Sequence, residues 1–258
     1  MPTLQNLLAE INRLLIAYLA KRPLSLDEQE AHYEKLRLDW TYHSNALEGN
    51  SLTLGETAFY LREGLTSEGK PLVDYLEIKN HTEAIDWLFQ IVKEQCPITE
   101  GFIKDLNALL HKGITERPAI GANGQKFMRK ITPGQYKQQA NHVLTVSGKI
   151  HYYIEPVQVH TEMSKLIELI NNEEKKLHPV ELAAAVHYEI TRIHPFDDCN
   201  GRTARLLLNL LLMRAKYPPI VIKTEDRRKY LEALEQADQG NREPFYLFVA
   251  EHVRAILS

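Results

Sequence analysis

His194-Pro195-Phe196-Asp197-Asp198-Cys199-Asn200-Gly201-Arg202, with Arg205 three residues on and Leu206-Leu207-Leu208-Asn209-Leu210-Leu211-Leu212-Met213 behind it, is the stretch that decides the fold. The run from Leu206 to Met213 is apolar except at Asn209, which reads as a helix buried on all sides. Its N-terminus then falls between Asn200 and Thr203, where unpaired backbone N–H groups and the positive end of the helix dipole favour an anion. Arg202 and Arg205 run against that dipole, and their spacing of three puts them near one face, so a polyphosphate would relieve the conflict. Asp198 suits Mg2+, which takes carboxylate, phosphate and water oxygens together. His194 stands just before the loop, where a neutral imidazole can accept a hydroxyl proton. Each residue alone has an ordinary reading, as a helix end, a cap or a surface ion pair. All of them within twelve positions favour a site.

The chain around this loop is that of an ordinary globular enzyme. Its 258 residues, 44% hydrophobic, can bury a sizeable core. A net charge of −3 gives no electrostatic footprint for nucleic acid, and no basic run marks a membrane surface. Two distant cysteines, Cys96 and Cys199, with no CxxC, fit a reducing cytoplasm and neither a disulfide scaffold nor structural zinc. Leu4 to Leu19 is amphipathic and carries Glu10, Asn12 and Arg13, so it reads as a helix and not a signal peptide. Its apolar face packs on the domain or serves a homodimer.

The loop resembles the HPFx(D/E)GN(G/K)R signature of the Fic (Fic/Doc, Fido) proteins, with eight of nine positions fitting. Upstream, Ser44-Asn45-Ala46-Leu47-Glu48-Gly49-Asn50 resembles the (S/T)xxxE(G/N) inhibitory motif of class II members. The resemblance implies an enzyme that transfers AMP from ATP, with Mg2+, to a Ser, Thr or Tyr hydroxyl of a target protein. By that resemblance His194 is the base, Asp198 holds Mg2+, and Asn200, Gly201 and Arg202 cradle the phosphates. Arg205 grips the γ-phosphate, and Glu48, with Ser44 and Gly49 in its motif, competes for Arg205. A bidentate Glu48–Arg205 contact would occupy the place a γ-phosphate needs. Misplacing that phosphate misaligns the α-phosphate for in-line attack. Tyr230, on a helix with Arg227 and Gln236, either packs on adenine or is a core aromatic.

Cys199 departs from the family, which has Gly there. If the position needs positive φ, a side chain adds strain of roughly 1 kcal/mol. A helix N-terminus also lowers a thiol's pKa, which leaves a redox or nucleophilic role open.

Outside the loop the pattern is helical: Leu26 to Tyr42, Thr53 to Glu63, Val73 to Glu94, Thr99 to His111, Val157 to Asn171 and Val180 to Ile193, with Pro179 in a first turn and Pro218-Pro219 breaking the buried helix. His178 and His187 lack metal-ligand spacing and read as satisfied or solvated. Pro118 to Pro156 is the non-helical region, where His142 to Ser147 and Ile150 to Ile154 flank Ser147-Gly148-Lys149, a hairpin signal. In position it resembles the Fic flap, which docks the target by strand addition. Tyr136, Asn141 and Tyr152 are its candidate contacts.

The expected protein is all-α, a Fic-type helical bundle with a small β-hairpin flap: an inhibitory segment at 1–60 and a core at 61–258. The expected function is cytoplasmic protein adenylylation checked by Glu48, with no nucleic-acid or membrane partner. Two alternatives stand beside it: AMP removal using Glu48, and nucleotide binding without turnover because of Cys199.

Overall fold

The computed structural model describes residues 3–22, 25–120, 125–173 and 176–258. Among the described residues ten α-helices follow one another as α1 (Leu4–Ala20), α2 (Leu26–Ala46), α3 (Leu54–Glu63), α4 (Leu72–Glu94), α5 (Glu100–Leu110), α6 (Pro156–Glu173), α7 (Pro179–Ile193), α8 (Asn200–Arg214), α9 (Arg227–Asp238) and α10 (Glu243–Leu257). Between α5 and α6 lie four short strands, β1 (Glu116–Ile120), β2 (Lys126–Lys130), β3 (His142–Leu144) and β4 (Ile150–Tyr152).

Local chemistry sets many of these boundaries. Ser25 with Glu28 and Thr53 with Glu56 close reciprocal capping boxes at the starts of α2 and α3. Thr99 caps α5 through the Phe102 N–H, and His178 caps α7 through the Val180 N–H, with Pro179 in the first turn. His178 is thus a satisfied cap, its Nε2 3.0 Å from Asn12 Oδ1.

Every residue of α8 from Arg202 to Met213 is buried, as the apolar run requires. Asn209, the one polar interruption, exchanges two 2.8 Å hydrogen bonds with the backbone of Ile220. Helix α7 packs along α8, and α4 and α5 also pack against α8. The apolar face of α1, Leu7, Leu8 and Ile11, is spent within the chain against α10. One core cluster runs from Leu7 to Leu257.

The non-helical region holds two antiparallel hairpins where one was expected. The expected one pairs His142 with Tyr152 and Leu144 with Ile150, turning where Gly148 takes φ +80. The additional one pairs Glu116 with Lys130 and Arg117 with Arg129. The 121–124 segment of the expected non-helical region lies outside the described residues. No helix among the described residues is long and apolar enough to cross a membrane.

Candidate functional site

The site is built on the loop between α7 and α8. Its ends are two non-glycine residues in left-handed conformation, His194 (φ 50) and Cys199 (φ 62). Asn200 closes the loop: its Oδ1 accepts from the Phe196 N–H and its Nδ2 donates to the Phe196 carbonyl, both at 2.9 Å. The Asn200 side chain therefore shapes the anion cradle and does not itself face it. Asn107 on α5 donates to the Asp198 carbonyl and accepts from the Gly134 N–H. Lys137, fully buried, donates from its backbone to the Pro195 carbonyl and from Nζ to the Ile193 carbonyl.

His194 stacks on Tyr153, ring centroids 3.7 Å apart. Its Nδ1 lies 3.4 Å from the Thr191 carbonyl, an acceptor only, so the hydrogen sits on Nδ1 and the Nε2 lone pair is free. Burial, with the Lys137 charge second, pushes His194 down to about 3. It is neutral at physiological pH and able to accept a proton.

The N-terminus of α8 has no side-chain cap, because Cys199 stands at the N-cap. The first helical bond runs from the Thr203 N–H to the Cys199 carbonyl, so the N–H groups of Asn200, Gly201 and Arg202 precede the ladder. Over this terminus lies the Glu48 carboxylate. A Cβ placed on Gly201 would overlap it and stand 3.1 Å from Arg205 Nη1. Glycine here is what lets the carboxylate sit down on the helix. Arg205 Nη2 donates to Glu48 Oε1 at 2.7 Å and to the Ser44 carbonyl at 2.9 Å, and Nε donates to Ser44 Oγ at 3.0 Å. The expected bidentate Glu48–Arg205 contact is single, since Ser44 takes the other donors on that edge. Helix α2 stops at Ala46, and Gly49 at φ +95 turns the chain so that Glu48 points back.

Tyr230 does not line an open cleft. It is buried against Phe245 and Phe248, with its hydroxyl 3.0 Å from His187 Nε2 and 3.5 Å from Arg205 Nη1. Of the two readings the core aromatic holds, and the ring backs Arg205 instead of offering a face to adenine. His187 is fully buried, with Nδ1 lacking a partner.

Asp198 sits in a charged network. Arg117 on β1 donates from Nε to Asp198 Oδ2 at 2.9 Å and from Nη2 to Glu77 on α4. Arg202, also buried, donates from Nη1 to Glu77 at 2.7 Å and to Asn45 Oδ1 at 3.2 Å. Its guanidinium thus faces Glu77 and not the open cradle. Burial by itself would raise the Asp198 carboxyl, but His111, Arg202 and Arg117 overcome it and hold it well below the usual carboxylate range. The Cys199 thiol goes the other way: burial pushes it well above its ordinary value, so the lowering expected at a helix N-terminus is overridden.

Residues 97–212 match the sequence profile of the Fic/DOC family. Over 96% of this chain and 94% of the other, the crystal structure of a Fic domain containing signaling protein from Bacteroides thetaiotaomicron is 34% identical, with a TM-score of 0.85. This chain belongs to the Fic/DOC family. The Fic-1 protein of C. elegans is 26% identical, with a TM-score of 0.81 covering 98% of this chain and 70% of that one. The protein adenylyltransferase Fic of Nematostella vectensis is 32% identical over 88% of this chain. This chain spans about half the length of the curated relatives it matches, 48% in that case.

In this Fic chain the flap candidates separate. Tyr152 is exposed on β4. Asn141 Nδ2 reaches the Phe196 carbonyl at 3.3 Å, tying the hairpin to the signature loop. Tyr136 is buried, its hydroxyl on Glu100 and its ring beside Phe196. Glu77, Arg117, His111, Lys137 and Tyr153 were not singled out from the sequence. Each is brought to the Fic loop by a contact across tens of residues, which leaves no local pattern.

Proposed function

We propose that this chain transfers AMP from ATP to a Ser, Thr or Tyr hydroxyl of a target protein, and that Glu48 in the segment 1–60 holds the reaction in check. The observation that carries this reading is the Glu48 carboxylate seated on Gly201 at the α8 N-terminus and on Arg205, an internal anion on an anion cradle. The name of the relatives, protein adenylyltransferase Fic, agrees with it.

The chemistry follows from the groups available. The hydroxyl oxygen attacks the α-phosphorus, the bond from phosphorus to the bridging oxygen of pyrophosphate breaks, and the hydroxyl proton passes to His194 Nε2. A base pushed down to about 3 takes that proton only as the oxygen bonds to phosphorus, so the two events are concerted. Arg205 and the orphan N–H groups of Asn200 and Gly201 would orient the polyphosphate once Glu48 withdraws. The β3–β4 hairpin, with Tyr152 outermost, would hold the target segment by strand addition.

The family implies Mg2+. An ionised, partly exposed carboxylate at Asp198, beside an anion cradle, is the donor that Mg2+ uses together with phosphate oxygens and water, so the residues fit. Bound there, Mg2+ would neutralise developing charge on the phosphates.

The test is label incorporation from α-labelled ATP into the protein itself, comparing wild type, Glu48→Gly and Glu48→Gly/His194→Ala. Label in Glu48→Gly alone is expected. If Glu48→Gly stays silent yet loses the ability to strip AMP from a modified protein, the reaction runs in the opposite direction. Silence that persists in Glu48→Gly/Cys199→Gly would leave a nucleotide-binding protein without turnover.

A further inference from the structure

We propose that Tyr153 is a positioning residue for the base, its ring holding the His194 imidazole in the plane that aims Nε2 at the acceptor hydroxyl. The two rings are almost parallel, 14° apart in plane and 3.7 Å between centroids, the closest ring pair among the described residues. The inference rests on the transferase reading for what His194 does, and on geometry alone for what holds it.

The histidine needs such a support. Its left-handed backbone, φ 50, sets where the Cα–Cβ bond points, but rotation about Cβ–Cγ is a broad two-fold torsion in histidine. Turning the ring about that bond swings Nε2 off any line it shares with a bound hydroxyl. The hydrogen bond that restrains the rotation, Nδ1 to the Thr191 carbonyl, is 3.4 Å long, beyond the roughly 2.7–3.2 Å of a well-made one. A ring laid flat on the imidazole opposes the same rotation, because turning drives one edge of the imidazole into it and lifts the other edge out of contact. Stacking uses the face of the imidazole and leaves both nitrogen edges free, so the support does not stand in the path of the proton.

Tyr153 is itself held in place. It follows β4 directly, and its N–H donates to the Asn141 carbonyl at 3.2 Å, while Asn141 Nδ2 donates to the Phe196 carbonyl in the signature loop. Lys137 Nζ lies 5.9 Å from the centre of the Tyr153 ring, over its face, and donates to the carbonyl of Ile193, the residue before His194. At its turn the hairpin is tied to α9 through Ser147 and Glu235. The segment that docks the target in the proposed function thus also sets the plane of the base.

NMR of the intact chain tests the stack without reference to activity. The imidazole C–H signals of His194, assigned by their loss in His194→Ala, should lie upfield in wild type and in Tyr153→Phe, show Overhauser contacts to the ring at 153, and move downfield in Tyr153→Leu. No upfield displacement and no contact in the wild type overturns the proposal, even where the leucine variant fails to fold. Label incorporation from α-labelled ATP then tests the positioning in the Glu48→Gly background. Tyr153→Leu should lower the rate at saturating ATP roughly two- to tenfold, the size of a stacked pair's contribution, and leave the half-saturating ATP concentration where it was. Tyr153→Phe, which keeps the ring, should recover most of that loss. An undiminished rate in the leucine variant, an equal loss in the phenylalanine variant, or a loss seen only as weaker use of ATP overturns the assignment. If Glu48→Gly itself takes up no label while the NMR signature is intact, the transferase reading has failed and the support of His194 by Tyr153 stands.

Discussion

Arg205 Nη2 stands 2.7 Å from Glu48 Oε1, while three further guanidinium contacts go to Ser44, twice, and, at 3.5 Å, to Tyr230. Only the Glu48 contact occupies the space over Gly201. Removing that carboxylate frees Arg205 for phosphate without dismantling its support. A hydrogen bond to a charged group contributes about 1.5–3 kcal/mol, so Glu48→Gly should raise the rate of AMP transfer roughly 10- to 150-fold. Ser44→Ala frees one donor but leaves Glu48 in place, and should change the rate far less. Label incorporation measures both, and equal activation by the two variants would refute the division of roles.

Cys199 holds φ 62 with its side chain buried. A β-carbon in the left-handed region costs about 1–2 kcal/mol, offset in part by the roughly 0.4–1 kcal/mol that glycine loses through a freer unfolded chain. Cys199→Ala keeps the strain and loses the buried sulfur. Cys199→Gly loses the sulfur and the strain together. The glycine variant should therefore melt about 2–4 °C above the alanine variant. An alanine variant as stable as the glycine one would mean that the loop relaxes at this position.

What the sequence made legible is what local chemistry encodes. The helices expected from Leu26 and from Thr53 begin at real helix starts, and the apolar run of α8 is buried throughout. The end of α8 was less legible. It stops at Arg214, ahead of Pro218, because Lys216 takes φ +67 and the Tyr217 N–H returns to the Leu212 carbonyl. That closure usually employs glycine, and a lysine there gives no signal. Helix α10 and the β1–β2 hairpin were likewise unannounced. The network around Asp198 was illegible for another reason: Glu77 meets Arg202 across 125 residues and Arg117 meets Asp198 across 81, so only the fold pairs them.

The Tyr230 hydroxyl joins His187 Nε2 to Arg205. Tyr230→Phe keeps the ring but leaves His187 without any partner, since its Nδ1 has none. An unsatisfied buried group costs about 1–3 kcal/mol, so the variant should lose that much stability by urea unfolding. Nucleotide affinity in the Glu48→Gly background should change by only a few-fold. Unchanged stability with a large loss of ATP affinity would return Tyr230 to the nucleotide.

Three imidazoles, those of His81 and His187 in the core and that of the half-buried His194 at the site, are driven below their ordinary value, in each case chiefly by burial. The unfolded chain protonates them near pH 6.5, whereas folded His194 does so only near 3. Between those limits the unfolded state binds more protons, so stability is at its full value above pH 6.5 and falls as the pH drops toward 3. Each such histidine adds a slope of up to about 1.4 kcal/mol per pH unit. Comparison with His194→Ala isolates one of them from the carboxylates, which titrate in the same range in both proteins. Urea unfolding at pH 7, 6, 5 and 4.5 should show wild type losing stability more steeply than His194→Ala, by up to about that slope below pH 6. Parallel curves would mean that His194 titrates alike in the folded and unfolded chain, and the neutral base assigned to it would have to be given up.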